Sequence, residues 1–110
     1  MVKRYLSNFS KIKKIRCMPY SKDCSYFIFQ IFCKNRDKIL KKLKNLNIGV
    51  SVHYANALPI MSYYRDKYNL NYIKFKNAIK YGHENIFLPV YPKLKISEVD
   101  KICKTITKLL

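Results

Sequence analysis

Chemistry in this sequence of 110 residues has one local address, Gly49-Val-Ser-Val-His53-Tyr54. A histidine followed by an aromatic residue at the end of an apolar run is a common way to set a titratable ring at the lip of a cleft. The same residues also fit a plainer reading, in which His53 satisfies local hydrogen bonds and Tyr54 packs on the core. Beyond this stretch the usual machinery is thin. There are six carboxylates, and Asp37, Glu98 and Asp100 fall where first turns of helices are expected, a place where an acid simply complements the dipole. Two glycines, Gly49 and Gly82, cannot make a glycine-rich phosphate loop. His83, beside Gly82, reads as a dipole partner at a helix C-terminus. Cys17, Cys24, Cys33 and Cys103 form no Cys-x-x-Cys pair, and neither histidine stands at ligand spacing from them, so all four are read as structural thiols. No Ser-His-Asp arrangement is legible.

Twenty-three Lys and Arg against six Asp and Glu give a formal charge of +17, which raises the question of nucleic acid. Only four of these cations are Arg (Arg4, Arg16, Arg36, Arg65), whereas phosphate-reading surfaces recruit Arg for its bidentate fork. The lysines run the whole length without forming a block, which reads as solvated faces; a basic nucleic-acid-binding module stays as the alternative. With 49% hydrophobic residues the chain has material for a packed core, and its length suits a single domain, residues 1–110. No apolar run nears the roughly 20 residues of a membrane span, and the basic start lacks the apolar stretch of a secretory signal. A cytoplasmic protein with no membrane partner is the expectation.

The elements that must position His53 follow from periodicity. Tyr5, Leu6, Phe9, Ile12 and Ile15 predict a helix from Val2 to about Lys14, and Cys17 to Asp23 a loop. This helix begins without a lead-in or cap, which is how a domain cut from a longer chain looks. Ser25 to Cys33 is β-branched and aromatic almost throughout and predicts a central strand. Asn35 offers an N-cap to a helix from about Arg36 to Asn45, ended by Asn47 and Gly49. Val50 to Tyr54 predicts a second strand, Ala55 to Lys74 a long irregular connection, Phe75 to about His83 a helix, and Ile86 to Leu88 a third strand. Val99, Ile102, Cys103, Ile106 and Leu109 mark a terminal helix. The predicted class is α+β, a small three-stranded, mainly antiparallel sheet covered by helices.

Several stretches fall in register with one family. Asn35-Arg36-Asp37, Leu46-Asn-Ile-Gly-Val-Ser-Val-His-Tyr54, Tyr63-Tyr64-Arg65, Phe75 to Ala78, Leu88-Pro-Val-Tyr-Pro92 and Val99-Asp100 closely resemble the C-terminal part of the DegT/DnrJ/StrS-type nucleotide-sugar aminotransferases, fold-type I pyridoxal-phosphate enzymes. The likeness runs from about Lys3 to the last residue. It implies the minor lobe of such an enzyme, with the large cofactor-binding domain absent. The Schiff-base lysine would lie upstream of Met1, so none of the nineteen lysines takes that role. By the same resemblance His53 and Tyr54 line the substrate side, with Ser51 and Asn56 as neighbours, and Tyr63, Tyr64 and Arg65 belong to a loop near the nucleotide-sugar. The resemblance implies amino-group transfer from an amino acid to a keto-sugar nucleotide in the full enzyme, with pyridoxal phosphate as its cofactor. For this chain alone it implies no bound cofactor and no transaminase activity. A separately encoded large domain or a homo-oligomer would be the protein partner. The sequence departs from the family where prolines are common (Ala55, Ala57), where a second histidine is common (Pro59), and at Lys95, where the last helix usually has a capping residue and Ser97 is the available substitute.

Overall fold

A computed structural model describes residues 1–110. The chain forms α1 (Val2–Phe9), β1 (Ile15–Cys17), β2 (Phe29–Cys33), α2 (Arg36–Asn45), α3 (Ser62–Lys67), α4 (Lys76–Glu84), β3 (Asn85–Leu88) and α5 (Ile96–Leu109), with short 3-10 turns at Leu58–Ile60 and Tyr72–Phe75. The three strands are antiparallel in the order β1-β2-β3, so the aromatic-rich strand is central, as its two apolar faces require.

Register explains how the sheet is covered. Ile15 lies opposite Cys33, Cys17 opposite Ile31, Ile31 opposite Ile86 and Phe29 opposite Leu88. These side chains share one face and join Val2, Tyr5 and Phe9 of α1, Ile39 and Leu43 of α2, and Val99, Ile102, Cys103 and Ile106 of α5 in the main core. The alternate residues, Arg16, Phe32, Gln30 and Phe87, point to the second face. There Tyr81 of α4 meets Phe32 edge-on at 5.3 Å and donates its hydroxyl hydrogen to Gln30 Oε1 at 2.6 Å. Arg16 stacks its guanidinium over Phe32 at 4.0 Å.

The class is as the sequence predicts, but four elements differ. The first helix stops at Phe9, and Ile15 begins the edge strand β1; Ile12 and Ile15 keep a helical spacing only because a tight turn happens to follow. The predicted Val50–Tyr54 strand is a single bridge, Ser51 to Phe87, since the next amide, His53 N–H, turns to the side chain of Asn85 at 3.4 Å. Strand β2 starts at Phe29, leaving Phe27 79% exposed, because its partner β3 ends at Leu88 before Pro89, which has no N–H to extend the ladder. The stretch predicted to be irregular contains α3.

Helix ends also depart from expectation. Asn35 takes the N-cap position of α2 in the left-handed region (φ 57°), and its side chain makes no capping bond. At the other end Asn47, not Gly49, adopts left-handed backbone (φ 55°), and Ile48 N–H bonds Leu43 O at 3.0 Å while Asn47 N–H bonds Lys44 O at 2.9 Å. This is a Schellman closure with Asn in place of Gly. Lys95 caps α5 through its backbone: its N–H donates to Glu98 Oε2 at 2.8 Å, so the carboxylate three residues on does the work and Ser97 is not needed. Asp100 lies beyond the first turn of α5, where it binds α1 instead of serving the dipole. Arg4 grips it with two bonds, Nε to Oδ1 at 2.7 Å and Nη2 to Oδ2 at 2.8 Å, and Asn8 Nδ2 adds a third at 2.8 Å.

These donors, Arg4 foremost and then Asn8, draw the Asp100 carboxyl from 3.8 down to about 2. A lowered folded value means that the contribution is complete above the ordinary carboxylate range and is lost as pH falls from about 4 to about 2. Asp100→Asn is therefore expected to lower the melting temperature at pH 7 and to flatten its pH dependence in that window, as thermal denaturation followed by circular dichroism would show.

Candidate functional site

The second face of the sheet carries His53. Its ring meets Phe87 edge-on at 4.8 Å, and its Nε2 lies 3.0 Å from Ser51 Oγ. The neighbouring Tyr54 ring is 6.0 Å away and the residue is 80% exposed. Ser51 is fixed by two backbone bonds to Phe87. The sheet thus sets one wall of the site, and the histidine stands at its rim, open to solvent.

Beneath the rim lies a residue that sequence reasoning missed. Asn85 is completely buried and is the first residue of β3. Its Oδ1 accepts from His53 N–H at 3.4 Å, and its Nδ2 donates to Tyr81 O at 2.7 Å and Gly82 O at 3.3 Å, with Tyr54 O at 3.5 Å. Two of those carbonyls belong to the last turn of α4, where orphan acceptors need partners, and Tyr81 O takes the Asn85 backbone N–H as well. One amide therefore closes the helix and holds the His53–Tyr54 backbone against it. Arg36, also buried, reaches the Asn85 carbonyl with Nη1 at 3.4 Å. Asp37 Oδ1 lies 2.7 Å from Arg36 Nε but off the N–H direction, so that N–H makes no hydrogen bond. Gly82 is the second missed position. A Cβ there would come within 3.0 Å of Ala55 O and 3.4 Å of Ala57 N, so α4 and the loop touch backbone to backbone. The scarcity of glycine was the signal that could have found it.

The remaining predicted residues gather elsewhere. Tyr63, Tyr64 and Arg65 lie together on α3. The two tyrosine rings meet at right angles 5.1 Å apart, Lys67 Nζ donates to the Tyr63 hydroxyl at 3.1 Å, and Arg65 Nε donates to Asp66 Oδ1 at 2.9 Å. No hydrogen bond or ring contact joins this group to His53 or Tyr54. Asn56 lines a separate cleft with His83 and Glu84. From Lys44 to Tyr81 not one residue is buried, although the segment includes α3, most of α4 and two 3-10 turns.

The other candidate groups are inert. Burial pushes the thiols of Cys17, Cys33 and Cys103 up to about 11, so they stay protonated at neutral pH, while Cys24 is exposed outside the core. No cluster of His, Cys, Asp and Glu could hold a metal ion. No helix is long and apolar enough to cross a membrane. Every one of the lysines is solvent-exposed. A lysine that carries a Schiff base is activated by desolvation or by a neighbouring cation in an enclosed site. None of the lysines stands in such a setting.

Residues 1–107 match the DegT/DnrJ/EryC1/StrS aminotransferase family. Among curated relatives, an uncharacterized protein of Methanocaldococcus jannaschii is 33% identical over 76 residues, covering 69% of this chain and 19% of its own. The UDP-4-amino-4-deoxy-L-arabinose–oxoglutarate aminotransferase of Shewanella sediminis is 28% identical over 80 residues, covering 69% of this chain and 20% of its own. Among solved structures, Helicobacter pylori PseC, an aminotransferase involved in the biosynthesis of pseudoaminic acid, superimposes with a TM-score of 0.83 at 22% identity, over 98% of this chain and 30% of that one. The chain thus spans about a fifth of the curated relatives it matches and under a third of the solved one.

Asn85→Ala would strand the His53 amide and the Gly82 carbonyl, at a cost of about 1–3 kcal/mol for each group left unsatisfied, while the Tyr81 carbonyl keeps the backbone N–H of residue 85. Asn85→Asp is more discriminating, because an ionised carboxylate can accept but not donate. Surrounded by carbonyls, the new carboxyl would be held protonated with a raised pKa, so urea denaturation should show this variant recovering stability relative to the parent as pH falls from 7 to 5. Gly82→Ala should gain none of the up to about 1 kcal/mol that alanine normally contributes inside a helix, and should shift the amide resonances of residues 53–57.

Proposed function

Because the chain belongs to the DegT/DnrJ/EryC1/StrS aminotransferase family, we propose that it is the C-terminal part of a pyridoxal-phosphate-dependent sugar aminotransferase. The observation that carries this reading is the family match along nearly the whole chain, set against lysines that are all exposed. In the complete enzyme an amino group passes from an amino acid to a keto-sugar nucleotide, with the cofactor held by residues outside this chain. Within that enzyme this chain shapes the substrate side. His53, steadied by Ser51 and Phe87, presents a ring nitrogen that can donate or accept a hydrogen bond at the rim, and Tyr54 adds a phenol beside it. Tyr63, Tyr64 and Arg65 offer two rings set at right angles and a guanidinium suited to a sugar or base face and a phosphate.

The unburied stretch from Lys44 to Tyr81 supports the same reading. It displays Tyr54, Leu58, Met61, Tyr63, Tyr68 and Ile73 to solvent, more apolar surface than a self-sufficient domain needs to leave open. The rest of the enzyme would cover it.

Two measurements test the proposal. Pyridoxal phosphate added to the isolated chain should yield no lysine trapped by borohydride at a single site and no transaminase turnover; single-site trapping with turnover would overturn it. Grafted in place of the matching part of Helicobacter pylori PseC, the chain should support turnover that His53→Ala lowers by ten-fold or more, about 1.4 kcal/mol in the barrier. A chimera that folds and binds cofactor but never turns over would sink the reading.

A further inference from the structure

Lysines scattered through the sequence converge in the fold. Lys13 and Lys14 precede β1, Arg16 lies within it, Lys34 follows β2 and Lys80 is on α4, yet all five line one cleft of about 540 Å³ at the end of the sheet where β1 begins and β2 ends. They are five of its eleven lining residues, against 23 cations in 110 for the chain, so charge density is doubled there. Glu84 is the one lining side-chain carboxylate, and it forms no ion pair with any of them. Lys14 Nζ is held by Leu110 O at 2.6 Å and Arg16 is held flat on the buried Phe32 ring, so two of the cations are fixed in place. Lys13, Lys34 and Lys80 have no partner. The side chain of Asn35, free of the helix cap, adds an uncommitted amide to the same wall.

Like charges gathered around a concave, partly apolar wall focus the field and favour a multiply charged anion. We propose that this cleft is a binding site for a condensed phosphate group, a diphosphate, and that it is separate from the His53 rim. Arg16 and the free lysines supply the countercharge, with Asn35 as a neutral donor. The phosphates could be inorganic or could belong to a nucleotide.

Pyrophosphate and ADP titrated into the whole chain at fixed ionic strength, followed by amide resonances, separate these sources. Shifts confined to residues 13–16, 34–35 and 80–84 are expected with both. Equal affinities would mean that the phosphates alone are read, and tighter ADP binding would add a contact to the nucleoside; both support the site. Lys34→Gln with Lys80→Gln should weaken pyrophosphate by about ten-fold, while Lys41→Gln with Lys44→Gln, an equal charge loss on the far part of α2, should not. Equal weakening by the two pairs would overturn the proposal. So would a short single-stranded oligonucleotide that shifts resonances all over the surface while pyrophosphate shifts none, because the cations would then form a diffuse polynucleotide surface.

Discussion

The fully buried carboxamide of Asn85 is the contact on which the candidate site depends. A buried amide with partners on every side is favourable, and one with any partner missing is costly. Here its oxygen takes the His53 amide and its nitrogen takes the end of α4, so the rim can sit only where both are satisfied at once. The backbone approach at Gly82 adds a steric limit from the same direction. The backbone of His53 is therefore set from below, by polar groups out of reach of water, while the imidazole stays at the surface against Ser51 and Phe87.

Much of the frame could be read from residue types alone. Phe29 to Cys33 had to be central, since neither face of so apolar a strand could meet water, and Tyr5, Phe9, Val99, Ile102 and Ile106 had to turn inward together. What escaped were features set by long-range partners. Three residues are too few to declare β1, and Ile15 is recruited by Cys33, eighteen positions away in the chain. Ser51 to Tyr54 has every local preference of a strand and loses the ladder after one bridge to a side-chain acceptor. Asp100 looked like a dipole acid until Arg4, at the other end of the chain, closed on it. For the site, the address of His53 and Tyr54 was legible, but the amide that fixes them was not, because asparagine at a helix end is commonplace.

The molecule is lopsided in how it uses its apolar residues. One face of the sheet, with α1, α2 and α5, holds a closed core. The other half, through α3 and most of α4, is ordered by hydrogen bonds and ring contacts with nothing above it. The buried core and the exposed side chains occupy separate halves of one short chain, and the sheet is the partition between them.

The two borders of that sheet restrict how the chain can meet other polypeptides. The β1 side offers three residues, preceded by Lys13 and Lys14 and carrying Arg16, too short and too cationic to recruit a foreign strand. On the β3 side the Ser51 bridge and the Asn85 side chain already occupy the approach. Strand addition, the common route to amyloid and to edge-to-edge dimers, is closed at both margins. Association must run through side chains, where shape and charge can select the companion.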